Sequence, residues 1–255
     1  MSARQYILGE VNWKDVRACD YQVAVLPWGS CEAHNYHLPY AADTIQSSYI
    51  AEESARIAWE KGGKIIVLPA IPYGVNTGQM DIKLTMNMNP STQLSLLKDI
   101  VYSLHHHKIN KLMIVNGHGG NDLKFAIREL QLLFPSVFIG LINWYKVVDD
   151  YKYFDEPGEH GGEMETSNIL YINPELVRSL KEAGAGAGKK IGLHGFRDGW
   201  AWSPREWLKA TEDTGLGNPK KATPEKGETY LKVVTEQIAL VLYDLYKADL
   251  KNIYE

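Results

Sequence analysis

Four short runs that are apolar almost end to end return along this chain, at residues 21–29, 64–74, 111–117 and 137–143, with amphipathic stretches between them. A strand with one face in water alternates polar and apolar residues. One that is apolar on both faces must be covered on both. Such strands alternating with helices restrict the chain to a mainly parallel sheet covered on both sides by helices. The spacing predicts helices over 44–61, 91–107, 122–133, 162–172 and 227–247. The first places Ile45, Ile50, Ala51, Ala55, Ile57 and Ala58 near a 3.6 period and stops at Gly62 and Gly63. The last turns Leu231, Val234, Ile238, Val241, Leu242 and Leu245 inward. Residues 183–188, AGAGAG, read as a flexible connection, and 193–219 as a loop whose Trp200, Trp202 and Trp207 argue against disorder. With no internal repeat and no linker, a single domain over 1–255 is expected.

In such sheets ligands sit beyond the carboxyl ends of the strands, and there the titratable residues gather. The first run leads into GSCEAHNYHLPYAADT, which holds Glu32, His34, His37 and Asp43 within twelve residues. If the chain stays extended, Glu32 and His34 face the same side, so a carboxylate and an imidazole can converge on neighbouring ions. Asp43 returns just ahead of a predicted helix, where an N-cap role competes with a ligand role. The third run ends in VNGHGGND, with His118 between glycines. A glycine-rich turn before a helix can cradle phosphate, but neither GxGxxG nor GxxxxGK[ST] is present. An imidazole beside permissive glycines suits a divalent ion better. The third cluster, EHGGEMETS at 159–167, brings His160, Glu163 and Glu165 to the start of another helix. Glu163 and Glu165 point apart on a helix, so at most one joins a shared site. The other is a neighbouring or capping acid.

Two features are read as bystanders. His105, His106 and His107 point about 100° apart on a helix and cannot meet at one ion, so they mark a solvated helix end. Cys31 has a carboxylate neighbour that disfavours its thiolate. With only Cys19 as company it reads as a free thiol in a reducing compartment. A formal charge of −4 supplies no footprint for nucleic acid or an anionic membrane. The polar first residues and the lack of an apolar stretch of about 20 residues argue for a cytoplasmic protein acting on a small molecule.

Taken in order, the three clusters resemble the creatininase family, or creatinine amidohydrolases, nearly end to end. The first segment resembles the family's GSxEQHGxHLPxxxDT, and NGHGGN stands unaltered at 116–121. HGGEMETS from His160 resembles HxGExETS, with PELV following at 174–177, and GNPKKATPEKGE from Gly217 resembles GDPxxATxEKGE. The resemblance implies a three-layer α/β/α sandwich, two divalent ions (zinc, manganese or both), hydrolysis of a C–N amide bond, and a homo-oligomer, commonly a hexamer. It puts Glu32, His34, Asp43 and His118 on the metal ligands, with Asp43 as the bridge, and His160 on the catalytic histidine. Creatininases proper have a ligating glutamate where this chain has Gly120 and an apolar residue where it has Glu163. Glu163 is therefore expected to supply the missing carboxylate. Glu156 replaces a tryptophan that closes over creatinine, and residues 74–90 lack the family's usual histidine and PGT. Both departures point away from creatinine toward another cyclic amide or a formamide. The implied chemistry is attack by water activated between the ions, with His160 donating a proton to the leaving nitrogen and His37 orienting a ligating histidine. A competing class of reading, a member that keeps the fold but serves as a binding or structural subunit, would be marked by lost ligands, and none is lost.

Overall fold

The computed structural model describes residues 3–254. Its first helix, α1 (Trp13–Ala18), was not expected from periodicity, yet it carries a full capping box. The Asn12 side chain accepts from the backbone of Lys14 and Asp15, and Asp15 reaches back to Asn12. There follow β1 (Val23–Trp28), α2 (Ala42–Glu60), β2 (Ile65–Val67), α3 (Pro90–His106), β3 (Lys111–Asn116), α4 (Lys124–Leu133), β4 (Phe138–Asn143) and α5 (Glu163–Ile172). Two one-turn helices, α6 (His194–Arg197) and α7 (Trp207–Ala210), interrupt the segment expected to be loop, and α8 (Pro224–Lys247) closes the order.

The strands lie side by side as β2-β1-β3-β4, every neighbouring pair parallel. Each strand is a little shorter than its apolar run. The second shortens most, because Pro69 cannot continue the ladder as a donor; Ile65–Val67 form the strand, and beyond the proline only an isolated bridge from Ile71 to Trp28 returns to β1. Residues Tyr6 to Leu8 cover the outer edge of β2 through bonds to Val67.

Successive residues of a strand face opposite sides, and both sides are dry. Val23 and Val25 of β1 with Met113 and Val115 of β3 pack toward α2 and α8. Ala24, Leu26 and Trp28 with Leu112 and Ile114 pack toward Leu97 and Val101 of α3 and Ala126 and Leu130 of α4. The result is the three-layer α/β/α sandwich, with α2, α5 and α8 on one face and α3 and α4 on the other. Burying one such side chain fully stabilises the fold by ~1.5–3 kcal/mol, which is why the runs carry no polar residue at alternate positions.

After β1 the chain pairs β2 on one side, then crosses back to lay β3 on the other. The loops leaving the carboxyl ends of β1 and β3 diverge there, opening the crevice in which ligands of such sheets sit.

Candidate metal centre

Five acidic and histidine side chains from four segments converge in that crevice. Glu32 and His34 come from the loop after β1, Asp43 from the first turn of α2, His118 from the loop after β3, and Glu165 from the first turn of α5. Glu32, His34 and Asp43 are at most 2% exposed. Asp43 does not cap its helix: Ala41 is the N-cap and makes no side-chain cap bond, while the Asp43 carboxylate turns into the crevice.

Each ligand-type histidine has one nitrogen tied down by a main-chain carbonyl. His34 Nδ1 lies 3.1 Å from Glu32 O, and His118 Nε2 lies 3.0 Å from Val75 O. A carbonyl only accepts, so these nitrogens carry the hydrogens and the opposite nitrogens present lone pairs. His34 Nε2 then faces Asp43 Oδ1 at 3.0 Å and Glu165 Oε1 at 3.8 Å. His118 Nδ1 faces Glu32 Oε1 at 2.6 Å and Asp43 Oδ2 at 3.2 Å. Glu32 Oε1 and Asp43 Oδ2 are buried with no hydrogen-bond partner, so these approaches are close without being directed bonds. Lone pairs facing carboxylate oxygens out of water suit a cation, and three groups of these side chains could hold one: Glu32, Asp43 and His118; His34, Asp43 and Glu165; and Glu32, His34 and His160. With only protons available, burial would depress His34, but Asp43, Glu165 and Glu32 outweigh it and raise the imidazole to about 10. Burial likewise opposes, and Glu32 and Asp43 overcome, a rise of His118 well above its ordinary value. Burial would raise Asp43, yet the two histidines hold it well below the usual carboxylate range.

Of the two glutamates of EHGGEMETS, the structure brings Glu165 to the donors and turns Glu163 away, which corrects the expectation for Glu163. Residues two positions apart on a helix point about 200° apart, so Glu163 and Glu165 cannot both face the crevice. Glu165 Oε2 accepts from Gly161 N at 2.6 Å, leaving Oε1 toward His34. Glu163 is fully buried on the side facing α8, paired with Lys226 and accepting from Glu156 N at 2.8 Å. Glu156 contributes that backbone N–H, and its residue is exposed.

His160 stacks on His34, centroids 4.0 Å apart, with Nε2 2.7 Å from Ala33 O and 3.9 Å from Glu32 Oε2. Burial and the neighbouring His34 push its pKa down. His37 does not orient a histidine as expected. Its Nε2 lies 2.8 Å from Thr166 Oγ1, and the partner that fixes His34 is the Glu32 carbonyl. Burial, then His34, lowers His37 to about 4. The phosphate-cradle alternative for NGHGGN finds no support in packing. A Cβ on Gly120 would lie 2.4 Å from both His118 Nε2 and Val75 O, so that glycine lets the loop fold onto the histidine. Burial and Glu32 push the Cys31 thiol up, away from a nucleophilic role.

Two side chains at the centre had no signal in local spacing. Gln79, on a 3₁₀ turn at Thr77–Gln79, donates its amide to Glu32 Oε2. Trp207 covers the His160 ring at 4.6 Å, with the Arg205 guanidinium over its own indole at 5.1 Å. The tryptophan-rich run was the nearest hint, and it could not say which indole turns inward.

The family model for creatininase, described as creatinine amidohydrolase, matches residues 9–242. The creatinine amidohydrolase of Pseudomonas putida is 24% identical over 93% of this chain and 96% of its own length. The mycofactocin precursor peptide peptidase of Mycobacterium tuberculosis is 29% identical over 80% of this chain and 77% of its own. A solved Bacteroides fragilis structure, provisionally named a creatinine amidohydrolase, superposes with a TM-score of 0.92 at 40% identity, covering 98% of this chain and 99% of that one.

Proposed function

The chain belongs to the creatininase family, and we propose that it is a metal-dependent amidohydrolase that cleaves a C–N amide bond of a small molecule, a cyclic amide or a formamide. The observation that carries this reading is Asp43, whose two oxygens face two different histidines, each with its far nitrogen tied to a main-chain carbonyl. Such a carboxylate would be able to serve a cation beside either histidine.

In this reading Glu32, His118 and Asp43 hold one divalent ion, and His34, Glu165 and Asp43 hold the other. Solved creatininases include a zinc form and a manganese form, and either metal suits these donors. When bound, such a pair supplies hydroxide at neutral pH and polarises the scissile carbonyl. His160 manages the proton. The Ala33 carbonyl takes its Nε2–H, leaving Nδ1 as the basic nitrogen, which accepts a proton from the attacking water and then gives it to the departing amine. His34 stacks on that ring and Trp207 packs against it at a tilt, and the residue is only 8% exposed.

The proposal extends to assembly as a homo-oligomer, with a hexamer as the count expected from the family, in the cytoplasm. Leu193, Trp200 and Trp202 stand 64%, 73% and 84% exposed, more apolar surface than a lone subunit needs. No helix among the described residues is long and apolar enough to cross a membrane.

The deciding experiment is metal analysis of the purified protein, followed by a screen of cyclic amides and formamides for metal-dependent release of amine and carboxylate. Hydrolysis that disappears on chelation and returns with zinc or manganese is expected. A protein that binds neither metal, or binds both and hydrolyses no amide, overturns the reading.

A further inference from the structure

Gln79 is an unusual choice for its position. It is 2% exposed, its amide nitrogen is bonded to Glu32 Oε2, and its own oxygen has no partner. The nitrogen must be the atom that faces Glu32, since a carboxylate only accepts. A buried amide with one half unsatisfied is poorer packing than an apolar side chain of equal size, unless the bond it does make matters.

The turn that carries Gln79 is braced from both sides. Asn76 Nδ2 bonds Ser30 Oγ at 2.7 Å and Met86 O at 2.9 Å, tying the turn to the segment that leads to Glu32. On the outside, the Arg205 carbonyl rests against Gly78 so closely that a Cβ there would stand 1.8 Å from it. Glu32 thus meets a donor that cannot drift. With Oε2 engaged by the amide, Oε1 is left unpaired and 2.6 Å from His118 Nδ1.

From this we infer that Gln79 is a positioning residue of the metal centre: it occupies one oxygen of Glu32 and thereby fixes the other as the single coordinating atom beside His118. The inference rests on the two-ion reading above. It also accounts for residues 74–90, which bring an amide to the centre although they lack the family's usual histidine.

The test is stepwise zinc binding by the intact, metal-stripped protein in competition with a chromogenic chelator. His118→Ala and His34→Ala identify which binding step belongs to which set of ligands. Gln79→Leu should weaken the step that His118→Ala abolishes by about 10–100-fold, the usual effect of losing a group that orients a ligand. The step that His34→Ala abolishes should stay unchanged. Gly78→Ala keeps the amide but displaces its turn, and should weaken the same step; it decides the matter if Gln79→Leu fails to fold. Equal loss at both steps would reveal a merely structural role, and unchanged binding at both would remove any role, so either result overturns the inference. Wild-type protein that takes up no zinc would overturn the function proposed above and this inference with it, whereas a null effect of the variants overturns this inference alone.

Discussion

His34 and His160 lie ring on ring, 4.0 Å apart and 29° from parallel, yet their nitrogens face different partners. His34 sends Nε2 to Asp43, and His160 sends Nε2 to the Ala33 carbonyl. In the proposed function the stack places the imidazole that handles the proton against one that would hold a metal ion.

Replacing His160 by Ala should therefore leave metal content intact while turnover falls by about 10²–10⁴, the range for losing a general acid or base. Elemental analysis and single-turnover kinetics on one preparation would check it. Loss of metal together with activity would mean that His160 coordinates, which its place beside Glu32 and His34 makes geometrically feasible.

Asp43→Ala should remove both ions, because Oδ1 and Oδ2 serve different histidines. His118→Ala should remove only one. Calorimetric titration with zinc or manganese distinguishes two lost sites from one, and a variant at Asp43 that retains a full-affinity site would exclude bridging.

His37 sets a pH dependence of stability. Its folded pKa, about 4, lies below the unfolded value of ~6.5, so between these values the unfolded state binds more protons. The contribution of His37 is then full above pH ~6.5 and is lost as pH falls toward about 4. Urea unfolding of the metal-stripped protein across that range should show the fall, and His37→Asn should flatten it. An unchanged slope in the variant would assign the loss to other groups.

Much of this was legible in the sequence, for reasons that also mark where legibility stopped. A strand such as β1 announces itself because both faces are buried, so every position from Val23 to Trp28 is apolar. Glu32, His34, Asp43 and His118 were identifiable because they follow strand ends that the fold brings together. The limits are tertiary. Whether Asp43 caps α2 or points into the crevice depends on the angle at which the helix starts, which Ala41 does not encode locally. Gln79 meets Glu32 across 47 residues through a turn with no periodic pattern. The choice between Glu163 and Glu165 turned on Lys226, 63 residues beyond Glu163, whose ammonium claims the buried carboxylate.

That choice yields the sharpest prediction. If Glu165 completes the second set of donors, Glu165→Gln should strongly weaken the ion beside His34 and spare the ion beside His118. Glu163→Gln should do neither. It should instead lower stability by ~1–3 kcal/mol, the cost of leaving a buried partner unsatisfied, moderated because Lys226 also has Asp155 at 3.2 Å. Restoring a glutamate at position 120 should not rescue Glu165→Gln, since any side chain there would strike His118 Nε2 and Val75 O. The measurement is zinc affinity at each site alongside thermal unfolding of the same variants. Weakened metal binding in Glu163→Gln with unchanged stability would reverse the assignment, and would mean that the Lys226 pair opens when the centre is loaded.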